Sequence, residues 1–566
     1  MSGAVFNSGR WSAWCSSPAA AWALVVLCLG VYLPGFFSMP AVDRDEARFA
    51  QASRQMAESR DWVVPRIQDR ARLNKPPLIY WLQASSVGLF TGGDIARDRI
   101  WMYRVPSLIA AIVVVLLTRR IGLAMFDPRA AVLGAAFIAV APVFLWEARQ
   151  ARADMVLVAC TTGAMLGLWL IVSRGATTAR QLLLWGCVAL GVLVKGPVTP
   201  LVVVLGAVVF TLGTRRFRWL IETAPLFGLS LLAVVVVPWQ WMVTRRVSSD
   251  VLTRTAIDET LGRALSPMEG HAGPPGFHTL LVWVLLFPGC LCLGAALVLT
   301  VKGWWRAFRL TPRTRSLPAR PEWFLIAWAG PSWIMFEIVA TKLPHYTMPL
   351  YPALALLAAR FVLRPRLLTR RVFSTWWGKF AARAWMLGAV VFASAGVAVF
   401  AYSLRSDSRP LLGAAAGLFG VPTAALLYVW TRRSWLARGL TAMHTGGIAL
   451  AGVGGMLICA GLPRLPMIWT SRSVVGLLSR HDPAAARPIA AVGFEEDSLI
   501  FETRGRARRV REGDLAAWLE RNPGALIVIE ERLLNRRPEL KSLGGTLGFN
   551  YTKGQRVLLA IAEARP

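Results

Sequence analysis

Residues 19–48 read AAAWALVVLCLGVYLPGFFSMPAVDRDEAR. An apolar run of bilayer length gives way at once to Asp43, Asp45 and Glu46, with Arg44 and Arg48 among them. A hydrocarbon core about 30 Å thick takes about 20 mostly apolar residues of helix, and 19–37 meets that length. The run is too long for the apolar part of a cleavable leader and lacks a convincing small-residue cleavage site, so it reads as a retained first helix. The same reading finds spans at 101–118, 130–147, 155–173, 181–195, 197–213, 221–243, 277–300, 322–340, 346–363, 383–403, 411–430 and 437–461. Thirteen spans predict a polytopic α-helical membrane protein. They exclude a disordered chain, a coiled coil and an ordinary cytosolic enzyme. Composition agrees: 55% of the 566 residues are hydrophobic and only 17% are charged, where a soluble domain has about a quarter.

The formal net charge is +32, from 63 Lys and Arg against 31 Asp and Glu. In a soluble protein such an excess points to nucleic acid; in a membrane protein it marks the loops retained inside. With the N-terminus inside, the inner loops are 119–129, 174–180, 214–219, 301–320, 364–383 and 431–438. They hold 23 basic residues and one acid, Asp127. The long outer loops, 38–100 and 244–276, hold ten basic against eight acidic residues and four against four. The excess is therefore largely topological, and a nucleic-acid partner is set aside. Residues 76–91, PPLIYWLQASSVGLFT, are apolar but short; a span there would place the arginine-rich loops outside, so they are expected to lie at the outer interface or to dip into it.

Two regions follow: a transmembrane part, 1–462, and an outer α/β domain, 463–566. In the second, PIAAVG, SLIFETRG, ALIVIE and QRVLLAIAEA read as strands and EGDLAAWLER as a helix. Its 17 basic and 12 acidic residues leave it mildly cationic. Of seven cysteines, six lie in spans and Cys15 in the inner tail. No CxxC pair predicts a zinc site and no disulfide is expected outside. No internal repeat is evident, which weighs against an inverted-repeat transporter.

Four polar clusters fall on the outer side. The first holds Asp43, Asp45, Glu46 and Arg48, followed by Asn74 and Lys75 before two prolines that keep the backbone extended. Acids at a helix start are also ordinary partners of the helix dipole. The second is WEARQARADM, with Glu147, Arg149, Arg152 and Asp154. The third is ATKLPHYTMPLYPAL, with Lys342, His345 and Tyr346; His345 has no metal-spaced partner, so no metal ligands are assigned. The fourth, in 244–276, has Arg254, Glu259 and Arg263 at helical spacing, a pattern that surface ion pairing also explains. Lys195 lies at a further outer turn. Carboxylates beside several cations at one membrane face suit a lipid-linked phosphate: cations stabilise charge on a leaving phosphate, and carboxylates orient or deprotonate an acceptor. No Walker loop or dinucleotide fingerprint stands out.

The pattern Asp45-Glu46-Ala47-Arg48-Phe49-Ala50 after the first span, then Asn74-Lys75-Pro76-Pro77, then Lys342-Leu343-Pro344-His345-Tyr346, resembles the lipid A aminoarabinose transferases. These are relatives of the protein O-mannosyltransferases among GT-C glycosyltransferases. The resemblance implies a GT-C fold of about thirteen spans with outer juxtamembrane helices and a small C-terminal periplasmic α/β domain. It implies transfer of 4-amino-4-deoxy-L-arabinose from undecaprenyl phosphate to a lipid A phosphate, at the periplasmic face of the bacterial inner membrane, giving resistance to polymyxin. Its implied partners are the undecaprenyl-phosphate-linked donor, lipid A and the bilayer. No organic cofactor is implied, and a divalent-metal requirement is left open. Asp45, Asp154 and Glu46 take the catalytic positions, with Asp43 open as the essential acid instead. Arg48, Lys75, Arg263, Tyr346, Lys342 and His345 take positions around the carrier phosphate or substrate, with Glu147, Arg149, Lys195 and Glu259 as further candidates. Thr260 follows Glu259 where some relatives have His, so no metal is placed there. Two alternatives stand beside this reading: another GT-C transferase with a different sugar or a protein acceptor, and a lipid or sugar flippase.

Overall fold

The computed structural model describes residues 8–248, 257, 262, 273–312, 314–363, 372–406, 440–550 and 554–565. Among the described residues, seven helices are long and apolar enough to cross a membrane, and four shorter apolar ones accompany them. The expected spans fall on these helices, with two exceptions: 322–340 is the helix Pro321–Ile338, which is not among them, and 411–430 lies outside the described residues.

Three expected spans are not single helices. Prolines are the cause, because a proline lacks the N–H of the helical ladder and its ring disfavours a helical residue before it. The run 130–147 is a helix Pro128–Val140, broken at Ala141-Pro142, and a second short helix Pro142–Glu147. The first of these is started by Asp127, whose carboxylate accepts the Arg129 N–H at 2.9 Å, an ordinary N-cap. The run 277–300 is Phe277–Leu285, a break around Pro288, a 3-10 turn Gly289–Cys292 and a helix Leu293–Leu310. The run 346–363 becomes α-helical only at Tyr351.

Packing between spans rests on interlocked side chains and close backbones, since lipid offers no hydrophobic penalty to drive helices together. Trp169, Phe210, Phe324 and Trp328 are buried where Asp154–Arg174, Val198–Thr214 and Pro321–Ile338 meet. The Phe324 ring lies 5.1 Å from Trp169 and 5.4 Å from Phe210. Against Thr178–Lys195 the backbones are closer still: a Cβ added at Gly167 would stand 2.8 Å from the Leu184 nitrogen.

The first long loop is folded. Asp45–Ser59 and Leu78–Thr91 are helices, with a small hairpin between them, β1 (Arg66–Ile67) and β2 (Arg70–Ala71). At 14 residues, the second helix is about 21 Å long, short of the roughly 30 Å core. Its Trp81 indole donates to the Trp62 carbonyl at 2.7 Å. Tyr80 is fully buried.

The C-terminal unit is a five-stranded mixed sheet in the order β4-β3-β5-β7-β6. Its strands are β3 (Ile489–Val492), β4 (Ala507–Arg509), β5 (Leu526–Glu530), β6 (Leu540–Asn550) and β7 (Gln555–Ala564). β3 runs parallel to β4 and β5, while β7 is antiparallel to β5 and β6. Ile489, Leu526 and Val528 face the helix Thr470–His481, and Ile527 and Ile529 face Leu515 and Leu534. Both faces are covered, which explains why β3 and β5 read as unbroken apolar runs. One expectation is corrected here. SLIFETRG is not a strand: Asp497–Glu502 is a helix, and only Ala507–Arg509 beyond it pairs. An acid in its first turn and the Asp43 carboxylate on its Ser498 N–H, at 2.8 Å, stabilise the helix start. β6 carries three glycines in LKSLGGTLGFN and gave no strand pattern in the sequence.

This unit is joined to the first loop by a dense polar seam. Buried Asp98 takes Arg54 and Arg504, each at 2.7 Å. Arg54 also donates to the Phe501 carbonyl at 2.7 Å. Gln68 donates to the Ala507 carbonyl at 2.6 Å, and Arg508 pairs with Asp69.

Candidate functional site

The first loop, the span ends and the approach to the C-terminal sheet enclose a cavity of about 370 Å³. Its position follows from the elements just described. Asp45 opens the helix Asp45–Ser59, Asp154 opens the span Asp154–Arg174, and Lys195 closes the span Thr178–Lys195. The segment 341–346 crosses between two further spans, and Ile468 and Trp469 come from the approach to the C-terminal sheet. Six cations (Arg44, Arg48, Arg72, Lys75, Arg152, Lys195) line it against three carboxylates (Asp43, Asp45, Asp154).

The groups form a chain. Lys195 Nζ meets Asp154 Oδ1 at 2.6 Å and sits 5.0 Å from the centre of the Tyr346 ring. His345 lies between two acids, with Nε2 3.7 Å from Asp154 and Nδ1 3.8 Å from Glu147. Arg152 is shared by Glu147, at 3.2 Å, and Asp45, at 3.6 Å. Glu147 is buried behind the cavity wall, so it anchors Arg152 without reaching the space itself.

Charge state follows from these neighbours. Burial works to raise the Asp45 pKa, but Arg152, Arg72 and Arg48 outweigh it and bring it down to about 2. Burial is the main force lowering His345 to about 4; Arg152 and Lys195 add to it, against Asp154 and Asp45. Asp43 moves the other way, raised chiefly by burial although the Ser498 N–H favours its charged form. Near neutral pH the cavity therefore presents an ionised Asp45 beside a neutral imidazole.

Asp43, Asp45, Arg48, Lys75, Asp154, Lys195, His345 and Tyr346 meet in one cavity, although up to about 300 residues separate them in the chain. Besides Glu147, three candidates do not share it. Glu46 is fully buried below the cavity floor: Oε1 takes Arg104 Nε and the Ala151 N–H, and Oε2 takes Arg104 Nη2 and the Val42 N–H, all between 2.8 and 2.9 Å. Its carboxylate is fully engaged there and does not line the cavity. Arg149 is also fully buried, its guanidinium spent on the carbonyls of Val31, Pro34 and Leu145. Lys342 turns its ammonium onto the Val339 carbonyl at 3.0 Å. In the extended segment 341–343 its neighbours Thr341 and Leu343 face the cavity instead, as alternation along an extended chain requires. Arg263 and Glu259 lie outside the described residues.

Arg72, Trp146 and Trp469 were missed by sequence reasoning. Arg72 stands three residues before Lys75, and the cation pattern of that stretch could have included it. Its guanidinium lies 5.1 Å from the Phe49 ring centre. The tryptophans carry no charge signal, and nothing in sequence separates them from the many interfacial ones. Among the described residues no group of three His, Cys, Asp or Glu side chains is placed to hold a metal ion.

Comparisons with known proteins agree with this architecture. The family described as dolichyl-phosphate-mannose-protein mannosyltransferase matches residues 74–241. An undecaprenyl phosphate-alpha-4-amino-4-deoxy-L-arabinose arabinosyl transferase of Pseudomonas aeruginosa is 25% identical over 96% of this chain and 99% of its own length. One of the same description from Edwardsiella ictaluri is 26% identical, over 56% of this chain and 55% of its own. Among solved structures, ArnT from Cupriavidus metallidurans bound to undecaprenyl phosphate superposes with a TM-score of 0.70 at 20% identity, over 96% of this chain and 98% of that one. The oligosaccharyltransferase of Archaeoglobus fulgidus gives 0.50 at 11% identity, over 92% and 70%. The chain is a polytopic helical membrane protein with the GT-C fold.

Proposed function

We propose that this chain, which resembles the aminoarabinose transferases over nearly its whole length, is an integral-membrane glycosyltransferase. It moves 4-amino-4-deoxy-L-arabinose from undecaprenyl phosphate to a phosphate of lipid A, at the periplasmic face of a bacterial inner membrane. The N-terminus is cytoplasmic and the C-terminal unit periplasmic in this reading, which the concentration of basic residues in one set of loops supports. The product masks negative charge and so protects against polymyxin-like peptides.

One observation carries the reading beyond the fold: a cavity at the ends of the spans whose wall holds six cations and three carboxylates. The bond that breaks joins the anomeric carbon to the carrier phosphate oxygen. The bond that forms joins the same carbon to a phosphate oxygen of the acceptor, attacking in line from the opposite side. Undecaprenyl phosphate leaves with the electron pair, and fixed cations stabilise the charge that gathers on it. An acceptor phosphate is already anionic near neutral pH, so the carboxylates have no proton to remove. Asp45 and Asp154 instead orient the sugar and its ammonium, while Arg48, Arg72 and Lys75 meet the phosphates. The donor brings its own leaving group, so no organic cofactor enters the scheme.

Mass analysis of lipid A from cells with and without the protein tests the reading. A gain of one aminoarabinose is expected. Unchanged lipid A with a newly glycosylated protein would assign a protein acceptor, and lipid translocation without sugar transfer would assign a flippase.

Two further results are expected. Lys75→Ala should weaken undecaprenyl phosphate binding by about tenfold, the scale of one charge-assisted phosphate contact. Unchanged affinity would remove Lys75 from the carrier site. The pH profile of the transfer rate between about pH 5 and pH 7 should be the same in His345→Gln as in the wild type, since the acceptor phosphate's second ionisation, at about pH 6, shapes both alike. Asp45 keeps its charge and His345 stays neutral throughout that window. An acid limb centred near pH 6, absent from His345→Gln, would show that His345 titrates there instead.

A further inference from the structure

Two residues at one helix start in the C-terminal unit reach the motif that presents Asp45. Asp497 Oδ2 takes Arg48 Nε at 2.6 Å, and its Oδ1 takes Arg509 Nη2 at 2.7 Å. The next residue, Ser498, donates its N–H to Asp43 Oδ1 at 2.8 Å. Asp43 and Arg48 both line the cavity and stand on either side of Asp45 in the chain. The Asp497 side chain is only 8% exposed, against 24% for Arg48. The pair is therefore shielded more than a loose surface bridge, whose value is small.

The backbone between these ties is unusual. Arg44 has φ 61° and ψ −111°, a strained region that side-chain-bearing residues rarely adopt. Such a conformation survives only when its flanks are fixed. Here Asp43 is held from the C-terminal unit, and Glu46 is held by Arg104 and the Ala151 N–H. The strained residue directly precedes Asp45 and sets the direction in which that carboxylate leaves the helix start.

We propose that the C-terminal unit is a positioning element of the catalytic site, with Asp497 orienting Arg48 toward the carrier phosphate and Ser498 fixing the turn that presents Asp45. This rests on the transferase reading for the identity of the sugar. It does not rest on it for the Asp497–Arg48 couple, which carrier binding reports by itself.

The test is a double-mutant cycle on the full-length protein in lipid nanodiscs. It reads both undecaprenyl phosphate affinity and steady-state transfer. Asp497→Asn and Arg48→Ala are each expected to weaken carrier affinity by about fivefold to tenfold, and the double variant by no more than Arg48→Ala alone, as coupled neighbours behave. Asp497→Glu should recover most of the affinity. Asp69→Asn, which removes the Arg508 seam contact away from the cavity, should leave affinity and transfer within about twofold, as surface pairs do. Additive losses, failure of Asp497→Glu to rescue, or an equal loss in Asp69→Asn would overturn the proposal. Were the wild type to transfer another sugar while the carrier cycle stayed non-additive, the sugar assignment would fall and the positioning role would stand.

Discussion

Asp45→Asn is expected to lower the transfer rate by about a hundredfold or more, the scale on which removing one preorganised electrostatic group acts. Undecaprenyl phosphate affinity should remain within about threefold, because an interaction used in the transition state appears in the rate and not in ground-state binding. The physical reason lies in its surroundings. Asp45 keeps its charge because Arg152, Arg72 and Arg48 overcome the cost of burial. Its side chain nonetheless stays 38% exposed at the cavity wall. A carboxylate held ionised beside fixed cations, and still open to a substrate, can orient an ammonium-bearing sugar without taking up its proton. The comparison variant is Asp43→Asn. Asp43 is tied to the Ser498 N–H, so its loss should be the smaller of the two. Full transfer by Asp45→Asn in membranes with normal protein levels would move the essential role to Asp43 or Asp154.

Glu46→Ala should cost about 3–5 kcal/mol of stability, as breaking a buried ion pair from one side does. Both Glu46 and Arg104 are fully buried. Arg104 has further hydrogen bonds to the carbonyls of Phe36, Met39 and Pro40. Those carbonyls cannot neutralise it, so removal of Glu46 leaves a charge inside the protein. It also leaves the Val42 and Ala151 N–H groups without their acceptor. Thermal unfolding of the detergent-purified protein measures the effect, and a large drop in recovered protein should accompany it. An unchanged melting profile with lost transfer would return Glu46 to the catalytic group.

These two neighbouring acids show what sequence could and could not separate. Both stand at the start of a helix after the first span, with the same chemistry and the same local pattern. Their roles differ because Arg104, some sixty residues on, reaches Glu46 and not Asp45. Long-range pairing of this kind leaves no local trace. The spans were legible because bilayer thickness imposes a run length that local pattern alone reveals. Their interruptions at Pro142 and Pro288 were less so, since a broken helix can remain apolar throughout. Lys342 and His345 stand in one short stretch, yet only His345 faces the cavity: Lys342 lies in extended backbone whose cavity side is taken by Thr341 and Leu343, and His345 lies in the turn that follows. Arg149 and Arg152 divide in the same way, one meeting backbone carbonyls and the other carboxylates. SLIFETRG failed as a strand because a helix start was being stabilised by Asp43, more than four hundred residues earlier.

The seam has a consequence for exchange between relatives. Arg504, Arg508 and Arg509 stand within six positions of one another, and their partners are Asp98, Asp69 and Asp497. Two of those partners belong to the first loop. A chimera that imported residues 463–566 from another protein would bring one half of a matched set and leave the other behind. The unit of inheritance is the C-terminal sheet together with the loop 38–100, although about 360 residues lie between them in the chain. Divergence on one side of the seam calls for an answering change on the other.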